Sequence, residues 1–374
     1  MKLFRCQGCQ SALHFENSQC LTCGRAVGFL EDCFAMSALD AGAQGFVALG
    51  GDGGEYRYCA NAQHGVCNWL VSAQSRDAFC ESCRLNQTVP DLTIPQNLER
   101  WRRIELAKRY VMRSILRWGL PHPSKAQDPV NGLAFAFLGD RETRTGAAAR
   151  VLIGHDDGLI TLNVAEADEG ERERRRTSMG EPYRTLIGHF RHEIGHYYWD
   201  RLVRDGGRLQ AFRDLFGDER ADYGAALQRH YNQSAPANWR DHFISAYATA
   251  HPWEDFAETF AHYLHIVDAL ETARSYGVNV RAQFMPGQTG AQIDFNPYRA
   301  PSAERLIDAW TPLTIALNGV NRSMGQPDLY PFVLNIDVMR KLEFIHALVH
   351  PASNGAAARA ALSQSISTTT RPRT

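Results

Sequence analysis

The sequence FRHEIGH at residues 190–196 is the stretch from which the rest of this chain can be interpreted. It lies in a partly apolar segment, residues 185–202, whose pattern predicts a helix. His192 and His196 are four residues apart, and side chains at that spacing share one helix face, so both imidazoles can reach one metal ion. Zinc accepts histidine nitrogens in tetrahedral geometry. Glu193 can take a proton from a water bound beside the two histidines, which predicts a general base.

A catalytic zinc needs a third protein ligand and one open position. The sequence WEDFAETF at residues 253–260 offers two carboxylates four residues apart, Glu254 and Glu258. We expect Glu254 to bind the metal, and Glu258 to accept the second ring N–H of a ligand imidazole, most simply His192. The alternative is an amphipathic helix with solvated acids. The many apolar residues of the segment disfavour that alternative.

The flanking pattern predicts a helix over 97–118 capped by Asn97, a buried strand at 133–138, and strands at 151–153 and 159–164 around a turn at 154–158. The charged run 169–176 is expected to be a solvated loop. Further helices are predicted at 207–216, 219–231, 238–249, 254–271, 303–318 and 336–348. The tail, residues 351–374, has the composition of a disordered segment.

All nine cysteines of the chain lie between Cys6 and Cys83, which favours metal-bound thiolates over disulfides. One set has the spacing of two knuckles on one zinc ion: Cys6, Cys9, Cys20 and Cys23. A second set predicts a second structural zinc, with His64 as an alternative ligand: Cys59, Cys67, Cys80 and Cys83. Cys33 is left over and is expected to be buried. Gly8 and Gly24 suit the knuckle turns.

The formal net charge of −1 provides no global field that would attract nucleic acid or anionic lipid. Residues 1–90 hold six basic and eight acidic side chains, which argues against a phosphate-binding surface and leaves a protein partner or an autoregulatory role. The basic segment 100–117 is the best candidate for nucleic acid, but a solvated helix face explains it better. No apolar run has the length of a membrane span or a signal peptide, so we expect a cytoplasmic protein.

HExxH followed downstream by ExxxE resembles the gluzincin metallopeptidases, and Glu254-Asp255-Phe256-Ala257-Glu258 is similar to the glutamate helix of anthrax lethal factor. That resemblance implies that Tyr247, seven residues before Glu254, assists catalysis at the oxyanion. The alternative for Tyr247 is a packing tyrosine with its hydroxyl at the surface.

A closer resemblance covers nearly the whole chain. It rests on CNWL at 67–70, CESCRLN at 80–86, FGDERADY at 216–223 and HPWEDFAE at 251–258. These motifs look like those of a bacterial family of zinc-binding metallopeptidases with an N-terminal zinc ribbon. The resemblance implies peptidase activity.

Taken together, we expect an α+β protein: a small β-rich zinc-ribbon module over 1–90, then a mainly helical zincin-like domain with a small sheet over 91–350. We expect one catalytic zinc and one or two structural zinc ions, and peptide or protein substrates. Two alternatives are a nucleic-acid-associated protease and a zinc-stabilised binding module without activity. Nucleic acid and membrane are not expected partners.

Overall fold

Short antiparallel strands form the N-terminal part of the computed structural model, which describes residues 2–142, 148–149, 151, 154–179, 185–281 and 290–350. A hairpin of β1 (Phe4–Arg5) and β2 (Ala12–Leu13) comes first. A five-stranded antiparallel sheet follows in chain order: β3 (Val27–Leu30), β4 (Ala35–Ala41), β5 (Phe46–Ala48), β6 (Glu55–Tyr58) and β7 (Leu70–Ser72). The buried rings of Phe15, Phe29 and Trp69 pack together with centroids 4.9–6.1 Å apart. A core cluster on the sheet is formed by Leu30, Leu39, Ala48, Tyr56 and Leu70.

The long helix α1 (Gln96–Trp118) follows, close to the predicted bounds. Gly119 ends it in the left-handed conformation, with φ 65°. The prediction that Asn97 caps the helix is wrong. Asn97 lies inside the helix, and its amide nitrogen donates instead to the carbonyl of Asp91 at 2.9 Å.

A four-stranded mixed sheet packs beneath the segment that carries the HExxH sequence. Its strands lie in the order β12 (Gly154–Asp156), β13 (Leu159–Asn163), β9 (Ala134–Leu138) and β8 (Asn86–Thr88). The two-residue turn Asp157-Gly158 has positive φ at both positions, as an Asp-Gly hairpin requires. This turn is shorter than the predicted turn at 154–158, because residues 154–156 form the strand that precedes it. The strands of this part of the chain are β8 (Asn86–Thr88), β9 (Ala134–Leu138), β10 (Arg141–Glu142), β11 (Ala148–Ala149), β12 (Gly154–Asp156) and β13 (Leu159–Asn163).

The charged run expected to be a loop is instead the helix α2 (Glu169–Met179). Glu169 and Glu171 lie in its first turn, where the helix dipole favours negative charge. Arg174 pairs with Glu171 at 2.8 Å across one turn. These local interactions make a helix out of residues with almost no apolar face.

The helix α3 (Leu186–Tyr198) carries the HExxH sequence. The Thr185 side chain caps it by accepting a hydrogen bond from the Gly188 amide at 3.0 Å. Phe190 packs against Phe135 and Phe137 of β9, with ring centroids 5.9 and 6.2 Å apart. The sheet therefore fixes the position of α3.

The remaining elements are mainly helical: α4 (Leu209–Phe216), α5 (Tyr223–Gln233), α6 (Pro252–Ser275), β14 (Val280–Arg281), β15 (Gly290–Ala291), α7 (Ala303–Ser323) and α8 (Ile336–Val349). The helix predicted over 238–249 is absent. Two single 3₁₀ turns occupy that stretch, Trp239–Asp241 and Tyr247–Thr249. Ser245 accepts from the Ala248 amide and Thr249 donates to the Ala246 carbonyl, and such side-chain bonds compete with helix formation.

The chain divides into two compact units, one of residues 1–201 with 271–278 and the other of residues 202–270 with 279–374. The first combines all the zinc-ribbon strands with α1 to α3, and the second is helical. The mixture of helices and sheets confirms the α+β class. The predicted boundary at residue 90 stays a prediction, and the predicted tail, 351–374, lies outside the described residues.

Candidate metal centres

The four cysteines of the first set form one group beside β1 and β2: Cys6, Cys9, Cys20 and Cys23. The Sγ atoms of Cys6 and Cys23 are 3.6 Å apart, as are those of Cys9 and Cys20. The second knuckle closes with a bond from the Gly24 amide to the Cys20 carbonyl, and Gly24 has a φ of +71°. In the first knuckle the positive φ falls on Gln10, not on Gly8.

The second set also forms one group, and all four of its members are buried: Cys59, Cys67, Cys80 and Cys83. Cys67 Sγ lies 3.8 Å from Cys80 Sγ. Backbone amides donate to the sulfurs, from Trp69 to Cys67 at 3.4 Å and from Cys83 to Cys80 at 3.4 Å. Amide donors of this kind stabilise thiolate charge.

Both cysteine groups fit tetrahedral zinc. Zinc–sulfur bonds of about 2.3 Å place neighbouring sulfurs about 3.8 Å apart, close to the separations of 3.6 and 3.8 Å seen here. His64 is outside the second group, since its ring stacks on Trp101 at 5.5 Å. The prediction that Cys33 is buried is wrong. Cys33 is exposed, because it lies in the turn between β3 and β4.

A fully buried ion pair on α1 lies next to the second cysteine group. Lys108 Nζ is 2.9 Å from Glu105 Oε2, and both side chains are 0 % exposed. Glu105 Oε2 is 3.9 Å from Cys83 Sγ. Arg109 and Arg113 are buried as well, at 5 % and 2 % exposure. Lys108, Arg109 and Arg113 are therefore internal, whereas Arg102 and Arg103 are exposed, so only part of the basic segment faces solvent.

On α3, the rings of His192 and His196 turn toward one another. Their Nε2 atoms are 3.2 Å apart and their ring planes are nearly perpendicular, at 83°. Two nitrogens bound to one zinc at about 2.0–2.1 Å would be about 3.3 Å apart in a tetrahedron. The two Nε2 atoms could therefore bind one zinc ion without any rearrangement of the helix.

Glu193 is buried, with 5 % of its surface exposed, and lies beside His189. His189 Nε2 is 3.8 Å from Glu193 Oε1, and His189 Nδ1 is 3.6 Å from the buried Glu166. The spacing of four between His189 and Glu193 is the signal that could have revealed this contact.

Glu254 lies in the first turn of α6 and is 1 % exposed. The Tyr223 hydroxyl donates to its Oε1 at 2.5 Å. The adjacent Asp255 receives a hydrogen bond from Lys341 Nζ at 2.6 Å. Burial raises the pKa of Asp255 to about 7, even though Lys341 opposes the shift. Tyr223 occurs in the sequence motif 216–223, but nothing in that motif indicates its contact with Glu254.

Tyr247 opens a 3₁₀ turn and is half-buried, with its ring centroid 5.6 Å from that of His230. Burial lowers the pKa of His230. Glu258 is half-buried, one turn after Glu254 on α6. The catalytic role of Tyr247 and the orienting role of Glu258 stay predictions.

Comparison with known proteins gives the family of the chain. Uncharacterised proteins of Mycobacterium bovis and of two Mycobacterium tuberculosis strains are 44 % identical over 351 residues, which is 93 % of this chain and 95 % of each relative. No solved structure matches the chain. Among the described residues, no helix combines the length and apolar composition needed to cross a bilayer.

Two family models match successive parts of the sequence. Residues 3–94 match a zinc-ribbon domain. Residues 97–348 match the model described as "Putative zinc-binding metallo-peptidase". Zinc is supported both by these family names and by the two four-cysteine groups. The chain belongs to this metallopeptidase family and carries an N-terminal zinc ribbon.

Proposed function

We propose that the chain is a zinc-dependent metallopeptidase whose catalytic zinc is held by His192, His196 and Glu254. The 3.2 Å separation of the two Nε2 atoms carries the proposal, because nitrogens that share one zinc ion have nearly that separation. The sequence supplies the third ligand, because Glu254 opens the downstream ExxxE motif and is 1 % exposed. The zinc-binding peptidase family of residues 97–348 supports the same assignment.

Bound zinc would lower the pKa of a water molecule and polarise the carbonyl of the scissile peptide bond. Glu193 would accept the proton of the attacking water and then pass it to the leaving amine. Tyr247 would donate to the developing oxyanion, and Glu258 would fix the tautomer of a ligand histidine.

The two four-cysteine groups would each hold a structural zinc. Four thiolates close the coordination sphere, so these ions would stabilise the fold and take no part in hydrolysis. The expected location is the cytoplasm, since free thiols in such groups suit a reducing compartment. Peptides or proteins would be the substrates, and the acidic ribbon would contact a protein partner.

The test compares the wild type with Glu193→Gln. Zinc per chain is measured by elemental analysis, and cleavage is measured on denatured casein and on a fluorogenic peptide library. We expect three zinc ions in both proteins and a cleavage rate about 10²- to 10⁴-fold lower in the variant, because only the proton acceptor is lost. Glu169→Gln, at an exposed position of α2, serves as the matched control and should cleave at the wild-type rate.

Undiminished cleavage by Glu193→Gln would refute the role of Glu193. A wild type that holds three zinc ions yet cleaves neither substrate would favour the binding module without activity.

A further inference from the structure

The Tyr223 phenol and the Glu254 carboxylate form one of the shortest side-chain hydrogen bonds in the helical unit, at 2.5 Å. Tyr223 is the first residue of α5, and Asp222 caps that helix by accepting from the Ala225 amide at 2.9 Å. The backbone that carries the phenol is therefore fixed by the start of a helix.

The ring of Tyr223 is held as firmly as its backbone. Its centroid lies 5.3 Å from that of His251 and 5.7 Å from that of Trp253, with both neighbours nearly perpendicular to it. His251 is itself fixed, because Nδ1 accepts from the Trp253 amide at 3.1 Å and Nε2 lies 3.1 Å from the Ala221 carbonyl. The rings of His251 and Trp253 thus orient the Tyr223 hydroxyl toward Glu254 on α6.

A carboxylate that is 1 % exposed is costly to bury unless hydrogen bonds and a cation compensate its charge. The phenol supplies one such bond to Oε1. A monodentate zinc ligand uses only one oxygen, so a donor on Oε1 leaves Oε2 oriented for the metal. Donors that hold a ligand in this way commonly change metal affinity by about 10- to 100-fold.

We propose that Tyr223 is a positioning residue for the catalytic metal: its hydroxyl orients the Glu254 carboxylate so that Oε2 binds zinc. This rests on the function proposed above. Tyr223 is 36 % exposed, so it does not belong to the hydrophobic core of its unit. Removing the hydroxyl alone should therefore weaken the metal site and leave the packing unchanged.

The experiment measures the dissociation constant of the third zinc in full-length Tyr223→Phe by competition with a chromogenic chelator, while the two cysteine-bound ions stay in place. We expect zinc binding about 10- to 100-fold weaker than in the wild type. The thermal midpoint of the protein freed of its third zinc should fall only slightly, because phenylalanine keeps both ring contacts and only one hydrogen bond to the buried carboxylate is lost. Tyr231→Phe is the matched control, since Tyr231 is on the same helix and 59 % exposed. It should bind zinc as the wild type does.

The outcomes separate the two proposals. A wild type with only two zinc ions per chain would overturn the proposed function. A wild type with three ions and a Tyr223→Phe variant of equal zinc affinity would overturn the role of Tyr223 alone. A Tyr223→Phe variant that is largely unfolded without its third zinc at the temperature of the titration would also overturn it, because the hydroxyl would then act on folding.

Discussion

Among single residues, the most specific prediction concerns Glu254 and its role as a zinc ligand. Glu254→Gln preserves the shape of the side chain but removes its charge, and a neutral amide oxygen is a poor zinc ligand. We expect zinc per chain to fall from three to two, with loss of cleavage. Elemental analysis after gel filtration checks this. Glu304→Gln, an exposed change in the first turn of α7, should keep all three ions. Three ions in Glu254→Gln would exclude Glu254 as a ligand.

The sequence predicts the residues of this site unevenly, for a physical reason. His192 and His196 are recognisable because a helix brings positions four apart to one face. The same rule pairs His189 with Glu193. The HExxH motif does not indicate this contact, because its two metal-binding histidines are His192 and His196. Tyr223 lies 31 residues before Glu254 and reaches it because the first residue of α5 contacts the start of α6. A single sequence contains no periodicity from which such a contact can be derived.

At the scale of elements, α1 and the end of α6 are joined by an internal ion pair. Glu271 accepts two hydrogen bonds from Arg113, at 2.9 and 3.1 Å, and a further one from Arg117. Burial raises the pKa of Glu271, but the charge and hydrogen bonds of Arg113 outweigh burial and hold this pKa at about 2. The folded state therefore binds the Glu271 proton less tightly than the unfolded state does.

This lowered pKa stabilises the fold above the ordinary glutamate pKa, and the stabilisation is lost as the pH falls toward 2. Glu271→Gln should lower the free energy of unfolding at pH 7 by about 3 kcal/mol, with a flatter acid limb between about pH 5 and 2. Urea unfolding across that pH range measures both. Glu99→Gln, whose pairs with Arg102 and Arg103 are exposed, should cost less than about 1 kcal/mol. Equal losses of unfolding free energy in Glu271→Gln and Glu99→Gln would contradict the stabilising role of Glu271.

Elements with an apolar period were predicted to within a few residues, as α1, α7 and α8 illustrate. The exceptions depend on polar interactions. The run 169–176 forms a helix through end charges and an ion pair. The stretch 238–249 has a helical apolar period, yet Ser245 and Thr249 divert its hydrogen bonds. Hydrophobic periodicity contains no information about either effect.

At the scale of the whole molecule, the buried basic residues of α1 bear on nucleic acid. Lys108 pairs with Glu105 and Arg113 with Glu271, so neither is available to phosphates. With a net charge of −1, we expect no salt-sensitive binding to single- or double-stranded DNA at physiological ionic strength. Fluorescence anisotropy of labelled DNA, titrated with the protein at 50 to 200 mM salt, measures the affinity. An affinity that falls steeply over that range would instead favour the nucleic-acid-associated protease.

The zinc ribbon shares a unit with α1 and α3, so its metal ions should stabilise more than the ribbon itself. The second cysteine group adjoins the buried Glu105–Lys108 pair, whereas Cys9 of the first group is only partly buried. Loss of the second zinc would remove the metal that organises four buried cysteines beside this ion pair, so it should disturb α1 as well as the ribbon loops.

We therefore expect Cys83→Ser to lower the thermal midpoint more than Cys9→Ser does, with each variant losing one zinc ion. Differential scanning fluorimetry with elemental analysis measures both quantities. The exposed Cys33 provides the matched control, and Cys33→Ser should keep every zinc ion and the wild-type midpoint. If Cys83→Ser lost its zinc and melted no earlier than Cys9→Ser, the second ion would stabilise only its own loops. Its contact with α1 would then contribute nothing to the stability of the helices.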